Sequence, residues 1–293
     1  MTTEITAARL TAHVRELAEV IGERNVFHPQ ALHAAATYIT QEWQQQGYTV
    51  NPQTYDVSGV ACSNLEVTRS GSSKPDEIIL IGAHYDTVAG SPGADDNASG
   101  IAALLEISRT FVALAPERTV RFVAFVNEES PFFFWETMGS LVYARAARKR
   151  GDNIQLMISL EMLGCYSAAE GSQGYPPLLR FFYPDKGDFI ALVSDLRSRP
   201  LLRRFTSLFR AHSDFPVQQL ATFFLVPGVA LSDHFSFWRQ GYRALMITDT
   251  AFYRNRHYHT AGDTPDKIDY VALTRVTEGI HRALAEFSAA RPA

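Results

Sequence analysis

The chain has 293 residues, 46% of them hydrophobic and 20% charged, with a formal net charge of −4, which suits one large α/β unit with a substantial buried core. Lys and Arg are scattered, and the short basic run Arg145 to Arg150 falls on a helical stretch where a solvated face accounts for it, so nothing points to nucleic acid. The longest uncharged stretch, Phe215 to Ser232, is broken by Pro216, Gln218, Gln219, Pro227 and Gly228 and makes a poor membrane span.

The N-terminal Met1-Thr-Thr-Glu-Ile-Thr-Ala-Ala-Arg lacks the charged start and apolar core of a secretory signal; read as the native start, it predicts a cytoplasmic protein. Leu10, Val14, Leu17 and Ile21 recur at helical spacing, and a second helix is predicted from Pro29 through Trp43, stopped by Gly47. Tyr48 to Val57 and Ala61 to Thr68 have the β-branched and aromatic content of strands with Ser-Gly between them, and read as the antiparallel edge of a mixed sheet. From Asn97 the pattern turns helical, with Ile101, Leu104, Leu105, Ser108, Phe111 and Val112 on one side and Asp96-Asn97 able to cap the start. A strand, loop and helix follow through residues 118 to 150. Residues 166 to 187 read as loop, 188 to 212 as helical, Arg243 to Thr248 as a strand and 270 to 289 as a final helix. With no linker or repeat, residues 1 to 293 read as one domain. Cys62 and Cys165, without C-x-x-C spacing, read as small core residues rather than metal ligands.

Three apolar runs end on residues that bind metals. Glu77 to Ala83 leads into His84, Thr119 to Asn127 into Glu128-Glu129, and Leu156 to Leu160 into Glu161. Ligands of open parallel α/β sheets gather at the carboxyl ends of strands. With Asp96 and His259, the residues His84, Glu129 and Glu161 form a set suited to two zinc ions. Taken singly, His84 with Asp86 also fits a buried histidine with a local hydrogen bond, and Gly93 to Gly100 fits a helix-capping turn. The acids are harder to dismiss, because carboxylates are seldom buried without a partner. Asp96, Glu129 and Glu161 bring three negative charges and a hydroxide a fourth, which two zinc ions balance; histidine and carboxylate without thiolate suit catalytic zinc, with manganese or cobalt as alternatives.

The motifs Gly82-Ala-His-Tyr-Asp-Thr-Val, Pro92-Gly-Ala-Asp-Asp-Asn-Ala-Ser-Gly, Asn127-Glu-Glu, Leu160-Glu-Met-Leu-Gly, Ser232-Asp-His and Tyr258-His-Thr, in this order, resemble metallopeptidase family 28, the di-zinc aminopeptidases related by fold to glutaminyl cyclases. The resemblance covers most of the chain. It implies the zinc-dependent exopeptidase fold, a mixed, mostly parallel sheet flanked by helices. It further implies that Asp96 bridges the two ions, His84 and Glu161 completing one shell and Glu129 and His259 the other. Glu128 would be the general base acting on a metal-bridging hydroxide, Asp86 would orient His84, Tyr258 could donate to the developing oxyanion as in some relatives, and the Asp96-Asn97 peptide bond would be cis.

Two features depart from that pattern. Glu161 stands where most relatives carry aspartate, which loosens the link to free-amine specificity. The stretch Ser130-Pro-Phe-Phe-Phe-Trp-Glu-Thr-Met138 lengthens the connection after Glu129, and Phe133 and Trp135 are expected to wall a pocket for large apolar side chains. The expected activity is removal of N-terminal residues from peptide substrates. A glutaminyl-cyclase-like acyltransferase, a carboxypeptidase or dipeptidase on the same fold, and a non-catalytic binding module are the alternatives.

Overall fold

Eight strands form one sheet in the computed structural model, which describes residues 4–177 and 179–289. They are β1 (Asn51–Val57), β2 (Val60–Arg69), β3 (Lys74–His84), β4 (Arg118–Phe125), β5 (Ile154–Glu161), β6 (Ile190–Ser194), β7 (Val217–Ala221) and β8 (Ala244–Thr248), in the spatial order β1-β2-β4-β3-β5-β8-β6-β7. The pairs β3/β4, β3/β5, β5/β8 and β6/β7 are parallel, whereas β1/β2, β2/β4 and β6/β8 are antiparallel. The mixed sheet and its antiparallel β1/β2 edge are as expected from the sequence. Met1 to Thr3, the start of the segment read for a secretory signal, lie outside the described residues. Among the described residues no helix is long and apolar enough to cross a membrane.

The helices are α1 (Ala7–Arg15), continued by a wider π-type turn over Glu16–Ile21, α2 (Pro29–Gln45), α3 (Gly100–Phe111), α4 (Gly139–Arg150), α5 (Arg199–His212), α6 (His234–Arg239) and α7 (Tyr270–Ser288). They cover both faces of the sheet. Successive side chains of a strand point to opposite sides, so Ile79 and Ile81 join the larger core with α1, α2, α3 and α7, while Ile78 and Leu80 pack with Phe125, Tyr143 and Phe237 beneath α4 and α6. Strands covered on both faces read as continuous apolar runs rather than alternating ones.

Three expectations are corrected. All twelve residues of α3 are buried, not one side only, because the helix lies between β3 and β5 on one flank and α1, α2 and α7 on the other. Its Glu106 is tolerated there because Arg109 Nη2 (2.8 Å) and Arg9 Nε (2.9 Å) donate to it. Phe111, edge-on to Phe122 at 5.4 Å, fills the same layer, and its truncation to Ala would cost about 3 to 5 kcal/mol. Second, residues 190–194, read as helical, are strand β6: a five-residue apolar run is too short to declare its period. Third, β7 and α6 escaped notice. Only the first residue of β7 is fully buried, since an outermost strand has a neighbour on one side alone.

Candidate metal centre

Chain order and spatial order part company at β3. The crossover from β3 leads to β4 on one flank, and the crossover from β4 returns past β3 to β5 on the other. Such a reversal opens a crevice at the carboxyl ends of the strands. His84 and Glu161 are the last residues of β3 and β5. Glu128 and Glu129 follow β4 by two residues, in the turn beyond the strand rather than on it. Asn127 there has φ 58°, and Met162, just after Glu161, has φ 47°, a region that side chains other than glycine visit at a cost of order 1 to 3 kcal/mol and usually near functional sites.

The five expected ligand side chains meet. His84 Nε2 lies 3.4 Å from Asp96 Oδ1 and 3.5 Å from Glu161 Oε2, and Glu128 Oε2 is at 3.9 Å. His259 Nε2 lies 3.2 Å from Asp96 Oδ2 and 3.2 Å from Glu129 Oε2. The two carboxylate oxygens of Asp96 thus face two different histidines. Ligand atoms of His84, Glu128 and Glu161 fall within 4.8 Å of one another, as do those of Asp96, Glu129 and His259. Among the described residues, buried His84 Nε2 and Glu129 Oε1 find no hydrogen-bond partner, a costly arrangement that a cation bound at each would relieve.

The electrostatics point the same way. Burial, then the neighbouring carboxylates, push Glu128 well above the usual carboxylate range, and burial with Asp96 alongside pushes Glu129 up to about 7. Burial opposes the charge on His259, yet Asp96 and Glu129 together push it up to about 10. Burial would raise Asp96, but the two imidazoles outweigh it and hold this carboxyl below its ordinary value. Like charges packed out of water demand compensation, and a divalent cation supplies it.

Hydrogen bonds hold the ligand-bearing loops. Asp86 lies beside His84, but His84 Nδ1 is within 3.1 Å of the Asp86 backbone oxygen and 3.6 Å from its carboxylate. That carboxylate accepts the backbone N–H groups of Glu128 and Glu129, each at 3.1 Å. Asp263 does the same for Asp95 and Asp96, each at 3.0 Å. Asn97, joined to Asp96 by a cis bond, accepts from Gly100 N (3.2 Å) and Met162 N (3.1 Å) and donates to the Leu160 carbonyl (2.8 Å). It, rather than Asp96, caps α3. Ser232 donates to Glu161 Oε2 at 2.7 Å.

Arg24, fully buried, donates to the carbonyls of Tyr85, Leu17, Gly22, Pro92 and Gly93 at 2.7 to 3.1 Å. Burial lowers its pKa to about 10 even with Asp86, Asp263 and Asp96 nearby. Neither Arg24 nor Asp263 was singled out from the sequence. Asp263 lies four residues after His259, but an isolated Arg24 carries no motif. Cys62 is buried in the core as read; Cys165 is half-buried near Asp95 and Asp249. Those two carboxylates are engaged, Asp95 by Gly164 N, Ser99 Oγ and Asn255 Nδ2 and Asp249 by Cys165 N and Ala251 N.

An apolar cavity opens beside Glu161, walled by Val193, Val229, Met246, Phe252 and Tyr258 among others. Phe133 and Trp135, expected from the sequence to wall a pocket, are not among the residues lining this one. Trp135 is 68% exposed, and Phe133 lies against Phe134. The lengthened connection turns outward, and the cavity is built from Glu161 and residues within the later segments 173–193 and 218–258. Tyr258 stacks on His259 with ring centroids 3.7 Å apart.

The chain matches the model of Peptidase family M28 over residues 64–284. It is 37% identical over 281 residues to the uncharacterized protein YfbL of Escherichia coli (strain K12), an alignment covering 93% of this chain and 85% of that one. It is 24% identical over 275 residues to the probable aminopeptidase YDR415C of Saccharomyces cerevisiae, covering 88% of this chain and 66% of the relative. A solved zinc aminopeptidase from Bacillus subtilis superposes with a TM-score of 0.78 at 14% identity, covering 98% of this chain and 96% of the other, a likeness of fold.

Proposed function

This chain belongs to peptidase family M28 and is a metallopeptidase, and from that premise we propose that it is an aminopeptidase holding two zinc ions. His84, Asp96 and Glu161 would hold one ion, and Asp96, Glu129 and His259 the other. The observation that carries the reading is the position of Asp96, whose two oxygens face His84 and His259 separately. When bound, the ions would supply Lewis acidity at the scissile carbonyl and acidify a water; manganese or cobalt could replace them.

The remaining work falls to the protein. Glu128, the most distant of the three carboxylates facing His84 Nε2, is the general base: burial raises its proton affinity, which suits a group that takes a proton from the attacking water and passes it to the departing amine. Asp86 keeps Glu128 and Glu129 in register through their backbone N–H groups. Burial and the surrounding acids raise the Tyr258 pKa, so its hydroxyl stays protonated and able to donate to a developing oxyanion. The cavity beside Glu161 and Tyr258 supports a preference for a large apolar N-terminal residue.

The test is metal counting by mass spectrometry together with turnover of leucyl and glutaminyl reporters. About two ions per chain, loss of leucyl hydrolysis on chelation and its return with zinc or cobalt are expected. Full activity of the stripped protein would sink the reading, and cyclisation of a glutaminyl peptide without leucyl hydrolysis would move the protein to acyl transfer.

A further inference from the structure

A second apolar concavity lies on the far side of the segment that walls the cavity. Phe134, Phe224, Leu225, Leu231 and Phe235 line it, with Arg239 as its charged residue. Phe235 meets Phe134 edge-on at 5.1 Å and Phe224 at 6.3 Å. Leu225 is 78% exposed and Phe224 56%, a concentration of apolar surface that solvent alone does not favour and that marks binding sites.

Two observations indicate what would cover it. Val226, Pro227, Gly228 and Leu231 line both the groove and the cavity beside Glu161, so the two are joined along one wall, and Leu231 precedes the Ser232 that donates to Glu161. The groove also has a positive end and, among the described residues, no acidic lining; Arg239 is exposed, and its Nη1 donates to the Phe134 carbonyl at 3.1 Å. Resting on the aminopeptidase reading, we infer that this groove binds the part of a short peptide downstream of the scissile bond, taking an apolar side chain against Phe224, Leu225 and Phe235 and the free C-terminal carboxylate at Arg239. The substrate class is then short peptides with apolar C-terminal residues, and a chain that is long or blocked at its C-terminus forgoes the second contact.

The experiment uses the zinc-loaded full chain and leucyl peptides of graded length, ending in Phe or Gly, each as free acid and as amide. At the best length, kcat/KM is expected to favour Phe over Gly by about tenfold, from apolar burial, and acid over amide by about threefold, the scale of an exposed ion pair. Arg239→Gln should erase the acid preference alone and a Phe224→Ser, Leu225→Ser double variant the Phe preference alone. A leucyl anilide, too short to reach the groove, should be cleaved as before. Phe- and Gly-ended peptides with a reduced, uncleavable first bond, each as free acid and amide, should show the same preferences in their Kd values. Equal values for all four peptide types, with anilide hydrolysis intact, would overturn the inference and leave the aminopeptidase standing. No anilide hydrolysis would remove the reading on which it rests. A dimer in sedimentation, or binding to phospholipid vesicles, that the double variant abolishes would assign the groove to a second copy or to a lipid surface and overturn it as well.

Discussion

The rim that carries the charged cluster and the rim that carries the aromatic loops are made in opposite ways. At the first, His84, Asp96, Glu128, Glu129 and Glu161 are each no more than 6% exposed, and Asp86, Asp263 and Ser232 hold the backbone N–H groups of Glu128, Glu129 and Asp96 and the side chain of Glu161. At the second, Phe181, Phe182, Phe223 and Leu225 are between 66% and 79% exposed. Charge buried out of water is tolerated only with its partners fixed in place, so the first rim admits little variation. Apolar side chains open to solvent face no such demand. Under the proposed function, chemistry would reside on one rim and selection on the other, and substitutions should separate the two.

The largest effect should come from Glu128→Gln, which keeps the metal and loses at least about a hundredfold in turnover, the lower end for removal of a general base. Glu129→Gln should lose metal as well. Equal metal content and equal rates in the two variants would dissolve the distinction between base and ligand. Next in size is Asp263→Ala, which leaves the Asp95 and Asp96 N–H groups without their acceptor. Zinc affinity, measured by chelator competition, should fall about tenfold to a hundredfold, as for other residues that orient ligands; unchanged affinity would show that the Asp96 loop holds itself.

Smaller still is the effect on the second rim. Val229→Phe narrows the cavity and should cut kcat/KM for Leu and Phe reporters relative to Ala by about tenfold at constant metal content, in the range of a one- to two-methylene misfit. Trp135→Ala, outside that cavity, should leave the ratio alone; the reverse pattern would return selectivity to the stretch after Glu129. The smallest effect concerns stability in acid. Burial lowers His234 and His281 from 6.5 to about 4, so between these values the unfolded chain binds more protons than the folded one. Stability therefore rises with pH across this window and is lost as pH falls from about 6.5 toward 4. The melting temperature of His281→Gln should decline less steeply than that of the parent over the same range, and parallel curves would clear this residue of any part in it.

The charged rim was legible in the sequence and the aromatic rim was not, for a physical reason. A carboxylate at the end of an apolar strand is an anomaly that a single segment displays, so His84, Glu129 and Glu161 announced themselves together with the strands they follow. Phe133 and Trp135 looked equally telling, yet an aromatic side chain serves core, pocket wall or open surface alike, and only the direction of the loop decides. The cavity draws on Val193, Val229, Met246 and Phe252, scattered through the chain and individually ordinary. Asp86 shows an intermediate case: its neighbourhood to His84 was readable, whereas its hold on the Glu128 and Glu129 amides depends on β3 and β4 lying side by side.

Arg24 bears on where this enzyme can be cut. The family match begins at residue 64, and a fragment trimmed to that span would still contain every side chain of the charged cluster. It would lack the guanidinium that binds the Tyr85 carbonyl, next to His84, and the Pro92 and Gly93 carbonyls, just ahead of Asp96. Those carbonyls would be left without their buried donor, and the two loops without the strut between them. The smallest autonomous unit therefore reaches well upstream of the recognisable peptidase motifs, and a minimal catalytic fragment, or a graft of this site onto another scaffold, must take that N-terminal segment with it.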